Sequence, residues 1–386
     1  MRADIVIVGG GVIGSSIAFH LAEAGAGSVV VIERDPSYAF ASSALSASSI
    51  RQQFTTPLCM EMSRYGFEFL KHVGERLAVD GDAPDVGLVE QGYLYLAEQG
   101  RSQGLEAALE IQVRHDVPVA ALAPDELARR FPWLHTDDLA LGVLGTASEG
   151  WFDGYSLMQA FRKKARSLGV TYLHAEALGF RMKGSRIAAV ETGTSLVEAD
   201  IFVNAGGPRA ARIAQWAGAT LPVAPEKRTI FAFRCAEPPR NLPLVVDASG
   251  LYVRPEGEGF ITGGPAWTAE TDPEDFEPDY EQFDAFTWPT LAHRVPAFEA
   301  IRMTRAWAGH YEMSLFDHNS FIGWTPGTDN LFTAAGFSGH GMQHSPAAGR
   351  GAAERILTGE YRTIDLSALS FERLKNNTPI EELNVI

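Results

Sequence analysis

The feature that most restricts how this chain folds lies in residues 4–33: DIVIV, then GGGVIG, then a helical stretch, then VVVI and Glu33. DIVIV is an apolar run without polar alternation, as expected of a strand buried on both faces. Gly9, Gly11 and Gly14 follow it at once in a G-x-G-x-x-G pattern, with Val12 and Ile13 inside the motif. Ile13, Ile17 and Leu21 recur at helical spacing, and Gly25 or Gly27 ends the helix. Each glycine has a mechanical use. Gly9 permits the tight turn, Gly11 lets a pyrophosphate approach the backbone, and Gly14 lets helix and strand pack closely. The helix N-terminus offers unpaired N–H groups to phosphate. Glu33 stands where a carboxylate accepts from a ribose hydroxyl and disfavours a 2′-phosphate. Strand, motif, helix, strand and acid in register predict a dinucleotide site.

The remainder of the chain fits a large globular protein rather than a repeat or a fibre. With 386 residues, 46% hydrophobic and 21% charged, two domains are expected. A formal charge of −16 argues against nucleic acid as a partner. Cys59 and Cys235 form no CxxC and no pairing pattern, which points to a reducing compartment. The start, MRADIVIVGGG, enters a strand without the layout of a secretory signal, and no apolar run is long enough for a membrane span. The expectation is a soluble, cytoplasmic protein.

After Glu33 and Arg34 the chain does not continue into regular βα units. Residues 41–49 are nearly all small, which suits close passage over an extended ligand. Ser42, Ser43, Ala44 and Ser48 are the candidates there. A further buried strand, ADIFV, leads to Ala205 and Gly206, so distant segments complete the dinucleotide domain. Arg34, Ala177, Ala205 and Gly206 are counted with Glu33 as cofactor-binding candidates of the same domain. A strand pair is expected within residues 179–200, and residues 221–325 show β-rich alternation in TIFAFR and GLYVRPEGEGFITGG. The expected division is 1–80, 150–220 and 326–386 for the dinucleotide domain, with 81–149 and 221–325 forming a second, interleaved domain.

Residues 336–346 read GFSGHGMQHSP, which three chemistries use in different ways. A G-x-S-x-G nucleophile elbow requires glycine at 340, where His340 stands. His340 and His344 have i, i+4 spacing but lack the glutamate of H-E-x-x-H, so no metal is expected. Gly339 and Gly341, with Met342 and Gln343 after them, let backbone lie against a flat ring. The helix that follows in PAAGRGAAERIL presents its N-terminus to negative charge. His340 is either a ring contact or a structural histidine.

Taken in order, VIVGGGVIGSSIAFHLAEAG, GWFDGYSLMQAF, DIFVNAGG, YVRPEGEGFITGG, RAWAGHYEM and GFSGHGMQHSP resemble the flavin amine oxidoreductases related to D-amino-acid oxidase, glycine oxidase and monomeric sarcosine oxidase. The resemblance covers nearly the whole chain. It implies an α/β fold of two domains: a Rossmann-like FAD-binding domain and a substrate domain with an antiparallel or mixed sheet. It also implies hydride transfer to FAD from the C–H next to nitrogen of an amino acid or N-alkyl amino acid. Where glycine oxidase and D-amino-acid oxidase place an arginine after W-A-G, this chain has His310 and Tyr311. Arg51 matches the arginine that sarcosine oxidase carries after its small-residue loop, and Gln343 replaces the lysine of its G-H-G segment. Arg51, Gln343, Tyr252 and Tyr311 are therefore the expected carboxylate-binding set, with His310 keeping the amine neutral. His310 also stands where sarcosine oxidase attaches its flavin through cysteine, so non-covalent FAD is expected. The strand GFIT lacks the oxygen-activating lysine of that enzyme, which favours a quinone, a partner protein or another carrier over oxygen. Two alternatives stay open: oxidation of a 2-hydroxy acid, and a non-catalytic FAD-binding subunit or assembly factor.

Overall fold

The computed structural model describes residues 1–268 and 272–383. Strand Ile5–Val8 lies inside a six-stranded sheet, flanked in parallel by Ile201–Asn204 and Val29–Glu33. Across the sheet the order is Phe321–Trp324, Leu331–Ala335, Ile201–Asn204, Ile5–Val8, Val29–Glu33 and Thr171–His174. Only the outer pair, Phe321–Trp324 with Leu331–Ala335, is antiparallel. The unbroken apolar run has a direct cause. Ile5 and Ile7 enter one core with Ile17, Phe19 and Phe161, while Val6 and Val8 enter another with Val30, Ile187 and Ile213. A strand covered on both faces has no solvent side on which to place polar residues.

Helices Val12–Glu23, Gly154–Ser167 and Gly341–Thr358 cover the first face. The second is covered by a three-stranded antiparallel sheet, Ala177–Lys183, Arg186–Thr192 and Leu196–Glu198, one strand more than the pair expected from sequence. The first and last helices meet where their side chains are small. A Cβ on Gly349 would overlap Ser16, whose hydroxyl donates to the Ser345 carbonyl at 2.7 Å. Pro346 has no N–H for the Met342 carbonyl, and the Ser345 hydroxyl donates to it instead at 2.9 Å.

The second sheet has eight strands: Ile301–Ser314, Val223–Cys235, Gly259–Gly263, Tyr252–Glu256, Leu244–Val246, Tyr93–Glu98, Leu139–Gly145 and Val119–Leu122. It is mixed, because Leu244–Val246 runs parallel to Tyr93–Glu98 and all other neighbours are antiparallel. Alternation sorts its residues. Leu94 and Leu96 join Phe233, Phe260 and Phe298, whereas Tyr93 and Tyr95 join Trp151 and Tyr252 on the side of the small-residue stretch. Phe321–Trp324, assigned from sequence to the interleaved β-rich region, is an edge strand of the six-stranded sheet instead. Glu382, near the last of the described residues, is also fixed. It is fully buried and accepts from the backbone N–H groups of Thr55 and Thr56 at 3.0 and 2.9 Å. No helix among the described residues is long and apolar enough to cross a membrane.

Four titratable groups set an acid limit. Burial holds His20 and His344 neutral, with pKa values lowered to about 3, and raises Glu149 and Glu312 to about 7. The histidines keep their stabilising contribution above their unfolded value of 6.5 and lose it as pH falls. The two glutamates act in the opposite sense, because their burial is least costly when they are protonated. Between pH 6.5 and 4.5 the two pairs offset each other, so these groups leave the stability of the unliganded protein nearly level; below 4.5 the histidines alone lower it by roughly 2.7 kcal/mol per pH unit. Urea midpoints across this range report the change of slope, and a uniform slope contradicts the assignment.

Candidate active site

A cavity of about 1830 Å³, its open mouth included, runs from the first glycine turn to the start of the last long helix. Gly9, Gly11, Val12, Ile13, Glu33, Arg34, Ala177, Ala205 and Gly206 line one end. Gly9 has φ +102°, and a Cβ there would overlap the Ala205 carbonyl oxygen. A Cβ on Gly14 would overlap the Gly9 carbonyl oxygen, so this glycine serves helix–strand packing and does not line the cavity. Gly11 differs: its Cβ position meets only Ser43 Oγ at 3.4 Å, which leaves the backbone open to a ligand. Glu33 accepts from the N–H groups of Gly10 at 2.8 Å and Asp35 at 2.9 Å, which fixes its carboxylate at the strand end.

The other end is built by Ser42, Ser43, Gly339, Gly341 and Met342 together with residues 309–312 of the long strand Ile301–Ser314. Ser42 donates to the His310 carbonyl at 2.6 Å, and Ser43 accepts from the Val12 N–H at 3.0 Å. The small-residue stretch thus ties the two ends together. Gly339, at φ +88°, lies against Tyr311, with Cε2 only 2.6 Å from its Cβ position. Helix Gly341–Thr358 begins here with no side-chain cap, so its first-turn N–H groups remain available. An open glycine face, a fixed acid and a second glycine turn at the far end suit a dinucleotide carrying a flat ring.

Several expected residues lie elsewhere. Arg51 does not line the cavity. Its guanidinium is buried, bonded to the Gln53 carbonyl, 3.2 Å from His340 Nε2 and 3.9 Å from the Phe54 ring centroid. Gln343 is turned the same way, its Oε1 accepting from the Arg51 N–H at 2.9 Å. His340 packs edge-on to Phe54 in this cluster, which is the structural role. Ala44 falls within the short helix Ser42–Leu45, and Ser48 bonds back to Ser46; neither lines the cavity. His310 is in the wall, but its ring does not share a face with Tyr311. It lies edge-on to Phe276, with Nε2 3.1 Å from the Asp272 carbonyl oxygen. Adjacent strand residues point to opposite faces, so the two side chains cannot converge on one small substrate. Tyr252 and Tyr311 do both reach the cavity, and burial raises both phenol pKa values.

Arg228 was not anticipated from sequence. It lines the cavity, Nε donating to Glu226 at 2.7 Å and NH1 to the Gly264 carbonyl at 2.7 Å, with its guanidinium 5.0 Å from the Tyr311 ring centroid. Strand Val223–Cys235 places it there: Glu226 pairs with Tyr311 and Arg228 with Gly309, so both charges share the Tyr311 face. The signal was the alternation of charges in EKR ahead of TIFAFR, which reads as a connection until the strand is seen to begin at Val223. Glu312 was missed as well, and lines the cavity beside Gly341.

Among the described residues, ligand atoms of His135, Asp138 and His293 lie within 4.8 Å of one another, away from the cavity. Sequence spacing gave no hint of this group. Arg294 already engages both oxygens of Asp138, at 2.7 and 3.0 Å.

Comparison with known proteins places this geometry. The family model described as DAO, FAD dependent oxidoreductase, matches residues 4–355. FAD-dependent oxidoreductase domain-containing protein 1 of Xenopus laevis is 40% identical, over 100% of this chain and 85% of its own length. Mitochondrial sarcosine dehydrogenase of Mus musculus is 24% identical, over 92% of this chain and 40% of its own. L-proline dehydrogenase from P. horikoshii superposes with a TM-score of 0.85 at 27% identity, covering 98% of this chain and 99% of its own. Glycine oxidase from Geobacillus kaustophilus gives 0.84 at 25% identity, covering 96% and 98%.

Proposed function

Because the chain belongs to the DAO family of FAD-dependent oxidoreductases, we propose that it oxidises an amino acid or N-alkyl amino acid at the C–H next to nitrogen, giving an imine that water hydrolyses. Bound FAD supplies the hydride acceptor. Gly11 and the start of helix Val12–Glu23 would hold its pyrophosphate, Glu33 its ribose, and residues 339–342 its ring. The observation that carries the substrate reading is Arg228 over Tyr311, which in turn packs on Gly339. A guanidinium with N–H groups to spare beside the ring cradle is suited to a carboxylate. The Tyr252 and Tyr311 hydroxyls, for which no hydrogen-bond partner is found among the described residues, add donors at the same place.

Two observations support the finer expectations. Cys59 donates to Asn319, Cys235 donates to the Ala297 carbonyl, and neither lines the cavity, which favours non-covalent FAD. Among the described residues the cavity lining contains arginines but no lysine; Lys227 is engaged by Asp275 at 2.7 Å and Asp279 at 2.9 Å. Without an ammonium to stabilise charge developing on oxygen, transfer to a quinone or partner protein is favoured over rapid use of oxygen.

Anaerobic mixing of the yellow protein with D-amino acids, sarcosine, proline and opine-like secondary amines tests the proposal. At least one is expected to bleach the visible flavin band, with slow recovery in air. Bleaching by 2-hydroxy acids alone would move the reaction to alcohol carbons, and bleaching by neither class would leave a non-catalytic FAD-binding subunit.

A further inference from the structure

Glu312 is a carboxylate in the wall of the flavin end for which the hydride transfer has no use. One of its oxygens accepts from the Gly336 N–H at 3.0 Å, and the Phe337 N–H donates to the same carboxylate. The other lies 3.7 Å from where a Cβ on Gly341 would stand, at the N-terminal mouth of helix Gly341–Thr358. It therefore grips the segment expected to lie along the ring. It is partly exposed, and it lines the cavity.

Among the described residues, its surroundings hold no counter-charge. On its own strand the Tyr311 side chain turns to the opposite face, and His310 is engaged with Asp272 and Phe276. On the paired strand its register partner is Pro225, while Glu226 and Arg228 bind each other on the Tyr311 face. Residues 336–339 are uncharged, and His340 turns to Arg51 and Phe54. No charged side chain among the described residues acts on Glu312, and burial raises its pKa to about 7. Hydride arrival leaves the ring one negative charge richer, and a second negative charge close to it in a low-dielectric site raises the cost of keeping both.

We propose that Glu312 takes up a proton when the flavin is reduced, holding the net charge at that edge of the site constant. The electron pair arrives with the substrate's C–H hydrogen. The proton comes from solvent through the cavity mouth: an O–H bond of a hydronium ion breaks, releasing water, and an O–H bond forms on the carboxylate. Glu312 is thus a positioning and charge-compensating residue for the ring.

The inference rests on FAD occupying the cavity and not on the amine, so electrons can be supplied at an electrode. Spectroelectrochemical titration of the holoprotein and of Glu312→Gln over about pH 5 to 9 is the test. Above its pKa, wild type should take up one more proton per two electrons than the variant. Its reduction equilibrium then falls an additional tenfold per pH unit, about 30 mV for a two-electron couple. The two proteins should converge at low pH. A constant offset, or identical slopes, overturns the proposal, because a purely structural grip on Gly336 and Phe337 shifts the potential equally at every pH. Should the variant not retain FAD, infrared difference spectra of wild type decide. A protonated-carboxyl band must appear on reduction, and its absence overturns the proposal. Colourless wild-type protein would sink the FAD reading first, and failure of the amine panel would leave this test standing.

Discussion

Arg228→Leu is expected to lower kcat/KM for carboxylate-bearing amines by about 10² to 10³-fold while leaving the flavin content and spectrum unchanged. The estimate follows from the roughly 2–5 kcal/mol lost when one partner of a desolvated charge pair is removed, at 1.4 kcal/mol per tenfold. Most of it should appear in KM if the arginine holds ground state and transition state alike, and in kcat if it aligns the C–H over the ring. Arg228→Lys should recover only part, since a point charge does not reproduce the planar fork. Arg51→Leu makes the contrast. Its guanidinium sits under Phe54 and His340 outside the cavity, so it should cost stability and soluble yield rather than KM. Steady-state kinetics beside a denaturant series separates the two arginines, and equal KM effects would refute this assignment.

Gly14→Ala should have the largest effect on cofactor retention. The added carbon would overlap the Gly9 carbonyl oxygen, which is backbone and cannot swing aside, and it would also lie 3.4 Å from Ala205 Cβ. Overpacking of this kind costs about 1–3 kcal/mol, occasionally more. Here it pushes the helix N-terminus away from the turn that presents it. The variant is expected to purify with little or no flavin and to melt several degrees lower. Gly25→Ala meets nothing within 4 Å and serves as the control: its φ of +77° costs some stability, yet flavin should stay bound. Full flavin occupancy in Gly14→Ala would show that the helix does not depend on this contact.

The first forty residues were legible because their constraints are local. A turn, a close approach and a strand buried on both faces each leave a signature within a few positions. The glycine turn at 339–341, which lines the far end of the cavity, was legible for the same reason. What escaped depends on which way a side chain turns once two strands are paired. Arg51 and Arg228 are both arginines near small or polar stretches, and position along the chain could not show that one enters a buried cluster and the other the cavity. His310 and Tyr311 were grouped because both follow W-A-G, although adjacency on a strand separates side chains. Glu312 gave no signal, since its importance comes from lacking a counter-charge, a property of three-dimensional neighbours. Phe321–Trp324 reads as any short apolar strand, and only pairing with Leu331–Ala335 assigns its sheet.

The sheet that carries the glycine turn begins at residue 5 yet takes its inner neighbours from 201–204 and 331–335, and the Thr55–Thr56 corner is held by Glu382. A nascent chain leaving the ribosome therefore exposes its first glycine turn long before the walls of the cavity exist. Cofactor capture waits until the segments up to Glu382 have emerged and docked, and until then the apolar opening strand is a natural client for chaperones.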